Sequence, residues 1–317
     1  MKTLIVVSGG DAPGINAAIA HFAMLATAHG DTVVGAVGGF EGALAGHIAP
    51  IKPVLIIPWA SRGGSYLQSS RKPVLAEPTA RAQFITLLDN HQIDNLLVMG
   101  GDGTQRIVAP LLADWGVPHI GIPTTIDNDV PGTDLSVGFD SACNFAQQTI
   151  DNLLMVAYSL PGRIYTVETL GGHTGFIALS VALAAGAQVV LIPEFDYTNE
   201  WLTQRLRDVV TRDNYALVVL SEGIAASSTI AQDIRAWTGM YCRDTRLGHG
   251  QRGTSPSHQD RLLASRMARV AYEALRDGEK AGMTVTRNGQ VTLHAGAITA
   301  LPARTPDRAL YNFVNGL

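Results

Sequence analysis

The sequence predicts an α/β fold built on parallel sheets, and three observations carry that reading. Short apolar strand-like runs alternate with segments of helical spacing along most of the 317 residues, the signature of βαβ units. A strand-like run, a Gly-Gly-Asp turn and a helical segment follow one another twice, at Gly9-Gly10-Asp11 and at Gly100-Gly101-Asp102. Two such turns on one parallel sheet would lie at neighbouring strand ends, where open α/β sheets bind ligands. The composition, 46% hydrophobic and 16% charged, suits a chain that buries a large core.

Taken in order, residues 3–8 read as a strand ending in Gly9 to Gly14, and Ile15 to Ala28 as a helix. Bare backbone N–H groups before a helix N-terminus can cradle an anion, although glycine turns also join strands to helices for steric reasons alone. No Gly-Lys-Ser/Thr follows, so this is not a Walker loop. Thr32 to Val37 reads as a strand, and Pro53 to Trp59 as another. Residues 77–91 read as a helix, Asn95 to Met99 as a buried strand, and the segment from Gly103 to Trp115 as a helix. Val117 to Ile122 is a buried strand, and Ser136 to Tyr158 has helical spacing, with Cys143 and Met155 at positions expected to pack in the core. Arg163 to Glu168, Val189 to Ile192 and Ala216 to Leu220 read as strands with helices between them; Asp260 to Asp277 reads as an amphipathic helix. A domain break is expected near Gly132 to Gly138, with the chain crossing back later.

Net charge is −4, which argues against a nucleic-acid binder. The two cysteines, Cys143 and Cys242, form no CxxC pair, so neither a zinc site nor a disulfide framework is expected. The Met-Lys-Thr start runs directly into a strand without a signal peptide, and the longest apolar region, Leu179 to Pro193, is interrupted by Gly186 and Gln188. These features predict a cytoplasmic protein.

The chemistry concentrates in two stretches. Gly121 to Asp134 is a loop shaped by Pro123, Pro131 and Gly132 that carries Asp127, Asp129 and the hydroxyls of Thr124 and Thr125. The same residue types also build plain surface turns. Cys242 to Gly253 reads as a glycine-rich loop holding Arg243, Arg246, Arg252 and His249. Arginine's planar fork matches phosphate oxygens; singly, each of these arginines reads as a solvated rim charge.

In this light the chain resembles the 6-phosphofructokinase family. The resemblance runs through Ser8 to Gly14 with Asn16, Gly64 with Arg71, Gly100 to Thr104, Pro123 to Asp129, Arg163 with Glu168, Glu222, and Arg243 to Arg252. It implies two doubly wound, Rossmann-like α/β domains with mainly parallel sheets and an active site between them. Residues 1–137 plus 251–300 would form the phosphoryl-donor domain, and 138–250 plus 301–317 the sugar-phosphate domain. It also implies phosphoryl transfer, which needs positioning and charge neutralisation more than covalent participation. Asp127 would accept the proton of the attacking hydroxyl, seconded by Asp129 and Thr125, and Asp102 would hold Mg²⁺ as a hard oxygen ligand. Gly10, Gly103, Thr104 and Thr124 would face the donor, and Arg71 would span donor and acceptor phosphates. Arg163, Arg243, His249 and Arg252 would grip the acceptor's phosphate, with Arg163 and Arg243 supplied by a neighbouring subunit. Leu170, Gly171, Gly172 and Glu222 would line the sugar. A homo-oligomer, dimer or tetramer, with shared active sites follows.

Several positions depart from the family pattern. Leu170-Gly171-Gly172 replaces Met-Gly-Arg, with Arg246 a candidate to compensate. Thr124 is neither the glycine of ATP users nor the lysine of pyrophosphate users, whereas Gly103 is the ATP-type residue. Lys72, Ala76 and Ile107 replace adenine-side residues, and Ala20, Met24 and Gln188 replace effector-site residues, which implies no classical feedback. The resulting expectation is a non-allosteric, Mg²⁺-dependent kinase acting on the 1-hydroxyl of fructose 6-phosphate with ATP. The alternatives are pyrophosphate as donor, another phosphorylated ketose or polyol as acceptor, and a non-catalytic sugar-phosphate sensor. The sensor is disfavoured because it has no use for Asp102, Asp127, Asp129 and Arg71. A dehydrogenase is disfavoured for want of a dinucleotide fingerprint.

Overall fold

Twelve strands fall into two sheets in the computed structural model, which describes residues 1–317. The strands are β1 (Lys2–Val7), β2 (Thr32–Ala36), β3 (Ile48–Pro50), β4 (Asn95–Gly100), β5 (His119–Thr125), β6 (Val137–Gly138), β7 (Arg163–Thr169), β8 (Val189–Leu191), β9 (Tyr215–Ser221), β10 (Tyr241–Arg246), β11 (Ala281–Arg287) and β12 (Gln290–Ala295). The α-helices are α1 (Ile15–Ala28), α2 (Gly39–Leu44), α3 (Pro53–Ile56), α4 (Ala80–His91), α5 (Ala109–Asp114), α6 (Phe139–Ser159), α7 (Phe176–Ala185), α8 (Asn199–Asp213), α9 (Ile230–Thr238), α10 (Gly250–Gly253), α11 (His258–Arg276) and α12 (Arg308–Asn315). The chain divides into one unit of Met1–Ser141 with Arg252–Arg304, and a second of Ala142–Gln251 with Thr305–Leu317. No helix is long and apolar enough to cross a membrane.

The first unit's sheet runs β12-β11-β5-β4-β1-β2-β3, with β6 paired to the end of β5. From β11 to β2 the pairing is parallel; only the outer strands β12 and β3 are antiparallel. All residues of β4 and β5 are buried, as expected of strands covered on both faces. One face packs Leu4, Val6, Leu96 and Val98 against Phe40, Phe84 and Leu112. The register sets Val7 opposite Met99 and Gly100 opposite Pro123, so the loops after β1, β4 and β5 leave the same edge side by side.

The second unit's sheet, β10-β7-β9-β8, is wholly parallel. Its core joins Ile164, Val218 and Leu220 to Leu202, Leu206 and Val209 of α8 and Ile230 and Ile234 of α9. The C-terminal helix covers the outer edge of β8: Asn315 Nδ2 donates to Val190 O at 3.0 Å and its Oδ1 accepts from Val190 N at 2.9 Å. A side-chain amide thus pairs an otherwise open strand edge.

Three sequence expectations are corrected, and one element is new. Residues 53–59 are helical, not a strand: Pro53 lies in the first turn of α3, where its fixed φ suits a helix and its missing N–H goes unneeded, and a 3₁₀ turn continues through Trp59. Part of the supposed loop at Cys242–Gly253 is the edge strand β10, hydrogen-bonded to β7; its charged residues hide the pattern because an edge strand exposes much of its length. Met155 is 61% exposed rather than core, near exposed Val156 and Tyr158 at the end of α6. The antiparallel β11–β12 hairpin, with its tight Asn288-Gly289 turn, was not foreseen.

The N-termini of α6 and α11 cap one another. Ser257 caps α11 by accepting from Asp260 N at 3.1 Å. The Asp260 carboxylate, 1% exposed, accepts from Gly138 N at 2.9 Å, Ser141 N at 2.8 Å and Ser141 Oγ at 2.5 Å. Burial pushes its carboxyl up to about 6, against the pull of those donors. Asp260→Ala leaves several buried donors unsatisfied at about 1–3 kcal/mol each, so a stability loss of at least about 3 kcal/mol is expected in urea unfolding. A loss below about 1 kcal/mol would show that this joint is replaceable.

Candidate active site

Three loops leave neighbouring carboxyl ends in the first unit. The turn after β1 carries Gly10, and a strap at residues 68–72 carries Arg71. That strap is bound to β1: Gly9 N donates to Ser70 O at 3.0 Å, Ser69 Oγ donates to Gly9 O at 3.0 Å, and Ser8 bridges Ser70. Glu41 of α2 holds the strap from the other side through Ser70 Oγ at 3.0 Å and an ion pair with Lys72. Asn16, fully buried in α1, orders the preceding loop by donating to Arg62 O and Gly64 O and accepting from Tyr66 N.

Two guanidinium groups converge on Gly10. A Cβ there would come within 2.7 Å of Arg252 Nη1 and 3.0 Å of Arg71 Nη2. Arg252 Nη2 also stands 3.9 Å from Asp127 Oδ1, a separation at which unit charges attract by about 4 kcal/mol at an effective dielectric near 20, before desolvation. One small volume therefore holds a bare glycine, two forks suited to phosphate and a carboxylate. Arg71 and Arg252, far apart in the chain, meet here.

The loop after β5 carries the carboxylates. Thr125 Oγ1 accepts from Asp127 N at 3.1 Å. Thr124, fully within β5, has a buried hydroxyl with no hydrogen-bond partner. Asp129 Oδ1 is likewise buried without a hydrogen-bond partner. Burial, then the neighbouring carboxylates of Asp127 and Asp102, raise the Asp129 carboxyl to about 6. Asp102 opens the turn after β4 and accepts from Arg106 Nε at 2.6 Å, a contact invisible as function in the sequence because i,i+4 pairs are ordinary helix features. No three His, Cys, Asp or Glu side chains stand close enough to hold a metal ion by themselves.

A cavity of about 240 Å³ opens beside these loops, lined by Gly9, Arg71, Lys72, Gly103, Thr104 and Ile107 among others. Gly103 has open space where a side chain would stand. Ile107 is 64% exposed at its rim. The Thr104 hydroxyl, expected to be presented to a ligand, instead donates to Ser8 O at 3.2 Å and ties the β4 turn to β1.

The second unit gathers its own carboxyl-end loops. Glu222 Oε1 accepts from Gly171 N at 3.2 Å and Gly172 N at 2.9 Å, and Gln251 Oε1 accepts from Leu170 N at 2.7 Å. Leu247 N donates to Glu168 O, which brings the segment bearing exposed His249 alongside. Gln251, fully buried, is not foreseen because a lone glutamine between Gly250 and Arg252 carries no signal. Arg246 is held on β10 by Asp244 at 2.8 Å and by the carbonyls of Ser227 and Ser228. Arg163 and Arg243 do not join this group. Arg163 begins β7, six residues and about 20 Å from the carboxyl-end loop, and it stacks on Tyr241 at 5.8 Å. Arg243 lies exposed along β10.

The phosphofructokinase family model matches residues 2–275. The chain belongs to the phosphofructokinase family. Within the family, it is 39% identical over 309 residues to the ATP-dependent 6-phosphofructokinase of Bacillus thuringiensis, covering 97% of this chain and 96% of that one. The corresponding protein of Bacillus cytotoxicus is 38% identical over 291 residues, covering 92% and 91%. Phosphofructokinase from Saccharomyces cerevisiae superposes with a TM-score of 0.86 at 24% identity, covering 92% of this chain; this chain spans 44% of the yeast chain. A pyrophosphate-dependent phosphofructokinase from Marinobacter aquaeolei superposes with a TM-score of 0.84 at 24% identity, covering 96% and 85%. At that identity both likenesses speak to the fold alone: the two-sheet, mainly parallel α/β architecture is a phosphofructokinase fold.

Gly10→Ala tests the cradle. The added methyl pushes against both guanidinium ends, so kcat/KM should fall by at least about tenfold while the protein stays folded, because misplaced positioning groups commonly cost that much. Steady-state kinetics at wild-type values would exclude Gly10 from the site.

Proposed function

We propose that this phosphofructokinase transfers the terminal phosphoryl group of ATP to the 1-hydroxyl of fructose 6-phosphate. The observation that carries the reading is the meeting of Arg71, Arg252 and Asp127 around Gly10, in a chain 38–39% identical to ATP-dependent 6-phosphofructokinases over nearly its whole length. Pyrophosphate is not favoured as donor: the pyrophosphate-dependent proteins match only at the level of fold, and the open space at Gly103 leaves room for a nucleotide's α-phosphate.

The first unit handles the donor and the second the sugar. Asp127 takes the proton of the attacking hydroxyl, and Thr125, bonded to the Asp127 amide, steadies it. Arg71 and Arg252 neutralise charge that spreads over the transferred group, an effect strongest where the donors are fixed in advance. Gly10, Gly103, Thr104 and Thr124 line the donor side, and Leu170, Gly171, Gly172, Glu222 and His249 the sugar side. Glu222 orders the Gly171 and Gly172 amides itself, which supports a role in shaping that loop as well as in binding a hydroxyl.

The residues fit Mg²⁺. The donor set is all carboxylate, Asp129 Oδ1 is buried without a hydrogen-bond partner, and burial beside the carboxylates of Asp127 and Asp102 raises its carboxyl, an environment that a cation would favour. Asp102 would hold the ion with Asp129 in support, and phosphate oxygens would complete its shell, since Mg²⁺ is held by one or two carboxylates in such sites. The ion would neutralise the donor phosphates. Arg163, at the amino end of β7, and Arg243, exposed along the edge strand β10, serve a neighbouring subunit's acceptor phosphate in a homo-oligomer. With Ala20, Met24 and Gln188 at the positions of the effector cations and carboxylate, classical feedback by ADP and phosphoenolpyruvate is absent. The enzyme acts in the cytoplasm.

Asp127→Asn should lower kcat by about 10²–10⁴ while sugar-phosphate binding, followed by calorimetry, changes little; retention of a tenth of the wild-type rate would remove Asp127 from the role of proton acceptor. Arg243→Ala and Asp127→Asn homo-oligomers should each be nearly inactive, and hybrids co-refolded from the two should regain activity, because one interface then combines both intact halves. Hybrids that form and stay inactive would place Arg243 outside any shared site.

A further inference from the structure

The Asp127-Asn128-Asp129 loop is fastened at its two halves by different means. Its far half is strapped to β11: Arg287 Nε donates to Gly132 O at 3.0 Å, Thr286 N to Thr133 Oγ1 at 2.9 Å, and Asp134 N to Thr286 O at 2.8 Å. Val130 packs there with Met283, Val285 and Ile298. The near half, which bears the carboxylates, turns on Asn128. That residue is 3% exposed with φ +54°, a left-handed conformation that Asn tolerates better than most residues. Its side-chain amide faces inward: Oδ1 accepts from Ser136 N at 2.9 Å, Nδ2 donates to Asp134 O at 3.3 Å, and Ser136 Oγ donates to Thr125 O at 2.8 Å. The Asn128 backbone carbonyl then accepts from Arg304 Nη1 at 2.5 Å. Arg304, from the segment that follows the hairpin, is half-buried, and its charge also faces Asp129 and Asp134.

We propose that Arg304 is a positioning residue for phosphoryl transfer. By holding the Asn128 carbonyl it fixes the peptide plane between Asn128 and Asp129, and with it the directions in which Asp127 and Asp129 leave the loop. The left-handed turn at Asn128 makes this necessary: a single residue off the common backbone basins relaxes unless its surroundings hold it. The inference rests on the reading of Asp127 as proton acceptor, since a positioning group matters only if the group it positions reacts. Misplacing a reacting group by about 1 Å can cost about a hundredfold in rate.

The test is the intact enzyme with Mg-ATP and fructose 6-phosphate. Arg304→Met, which keeps the stem and loses the fork, should lower kcat at least about tenfold with both KM values within about threefold, and Arg304→Lys should recover part of the loss. In the Asp127→Asn background, Arg304→Met should add less than about a twofold loss, the non-additivity of groups acting through one another. The Ser136 amide, bonded to Asn128, should exchange its hydrogen at least about tenfold faster in Arg304→Met than in the wild type. A folded Arg304→Met enzyme with wild-type kcat overturns the proposal, as does a full additional penalty in the Asp127→Asn background. If Asp127→Asn itself stays active, the proton-acceptor reading falls, and Ser136 exchange still decides whether Arg304 holds the loop. Should Arg304→Met fail to fold, Arg304→Lys measured in the same ways carries the decision.

Discussion

Parallel pairing in register is the constraint from which the first unit's site follows. With Val7 opposite Met99 and Gly100 opposite Pro123, the turns after β1, β4 and β5 must leave one edge of the sheet side by side. Interstrand spacing of about 4.8 Å then sets the distance between them. Asp102 and the Asp127 to Asp129 loop come from adjacent strands, Gly10 from the next, and Arg71 from a strap bound to that strand's end. Had any of these strands paired antiparallel, its loop would leave the opposite edge.

That crowding has an electrostatic cost. Burial first, and then the neighbouring carboxylates of Asp127 and Asp102, push the Asp129 carboxyl to about 6, and the chain offsets the repulsion only in part: Arg106 pairs with Asp102, Arg252 stands by Asp127, and Arg304 faces Asp129. A divalent cation bound among these carboxylates would relieve that repulsion. The second unit solves a different problem. Its loop at Leu170-Gly171-Gly172 carries two glycines, and Glu222 and Gln251 hold the loop's backbone amides in place. Gln251 is followed at once by Arg252, which serves the first unit's cradle.

Elements that bury continuous apolar runs were legible in advance: β1, β4, β5, β7, β8 and β9, with the helices between them, because fully buried parallel strands announce themselves by composition. The elements missed are those whose environment is one-sided. β10 lies at a sheet edge and carries Arg243, Asp244 and Arg246, so its pairing to β7 leaves no hydrophobic trace. Residues 53–59 are apolar enough for a strand but have no strand edge waiting for them, and the proline that looks like a strand terminus starts a helix. Met155 has a core-like spacing on α6, yet its face of the helix end is open in the single chain.

The site divides the same way. The sequence by itself determined the short-range motifs that hold Gly10, Asp102, Gly103, Asp127 and Asp129, because each is a cluster of glycines, prolines and carboxylates within a few positions directly after a strand-like run. Only the tertiary structure decided which groups come to meet them. Arg252 reaches Gly10 across most of the chain's length, Arg304 reaches the carbonyl of Asn128 from beyond the β11–β12 hairpin, and Thr104 turns its hydroxyl to Ser8 instead of outward. Side-chain reach across strand ends depends on register, burial and the few ångströms that separate loops, and none of these is written in the spacing of residues along one chain.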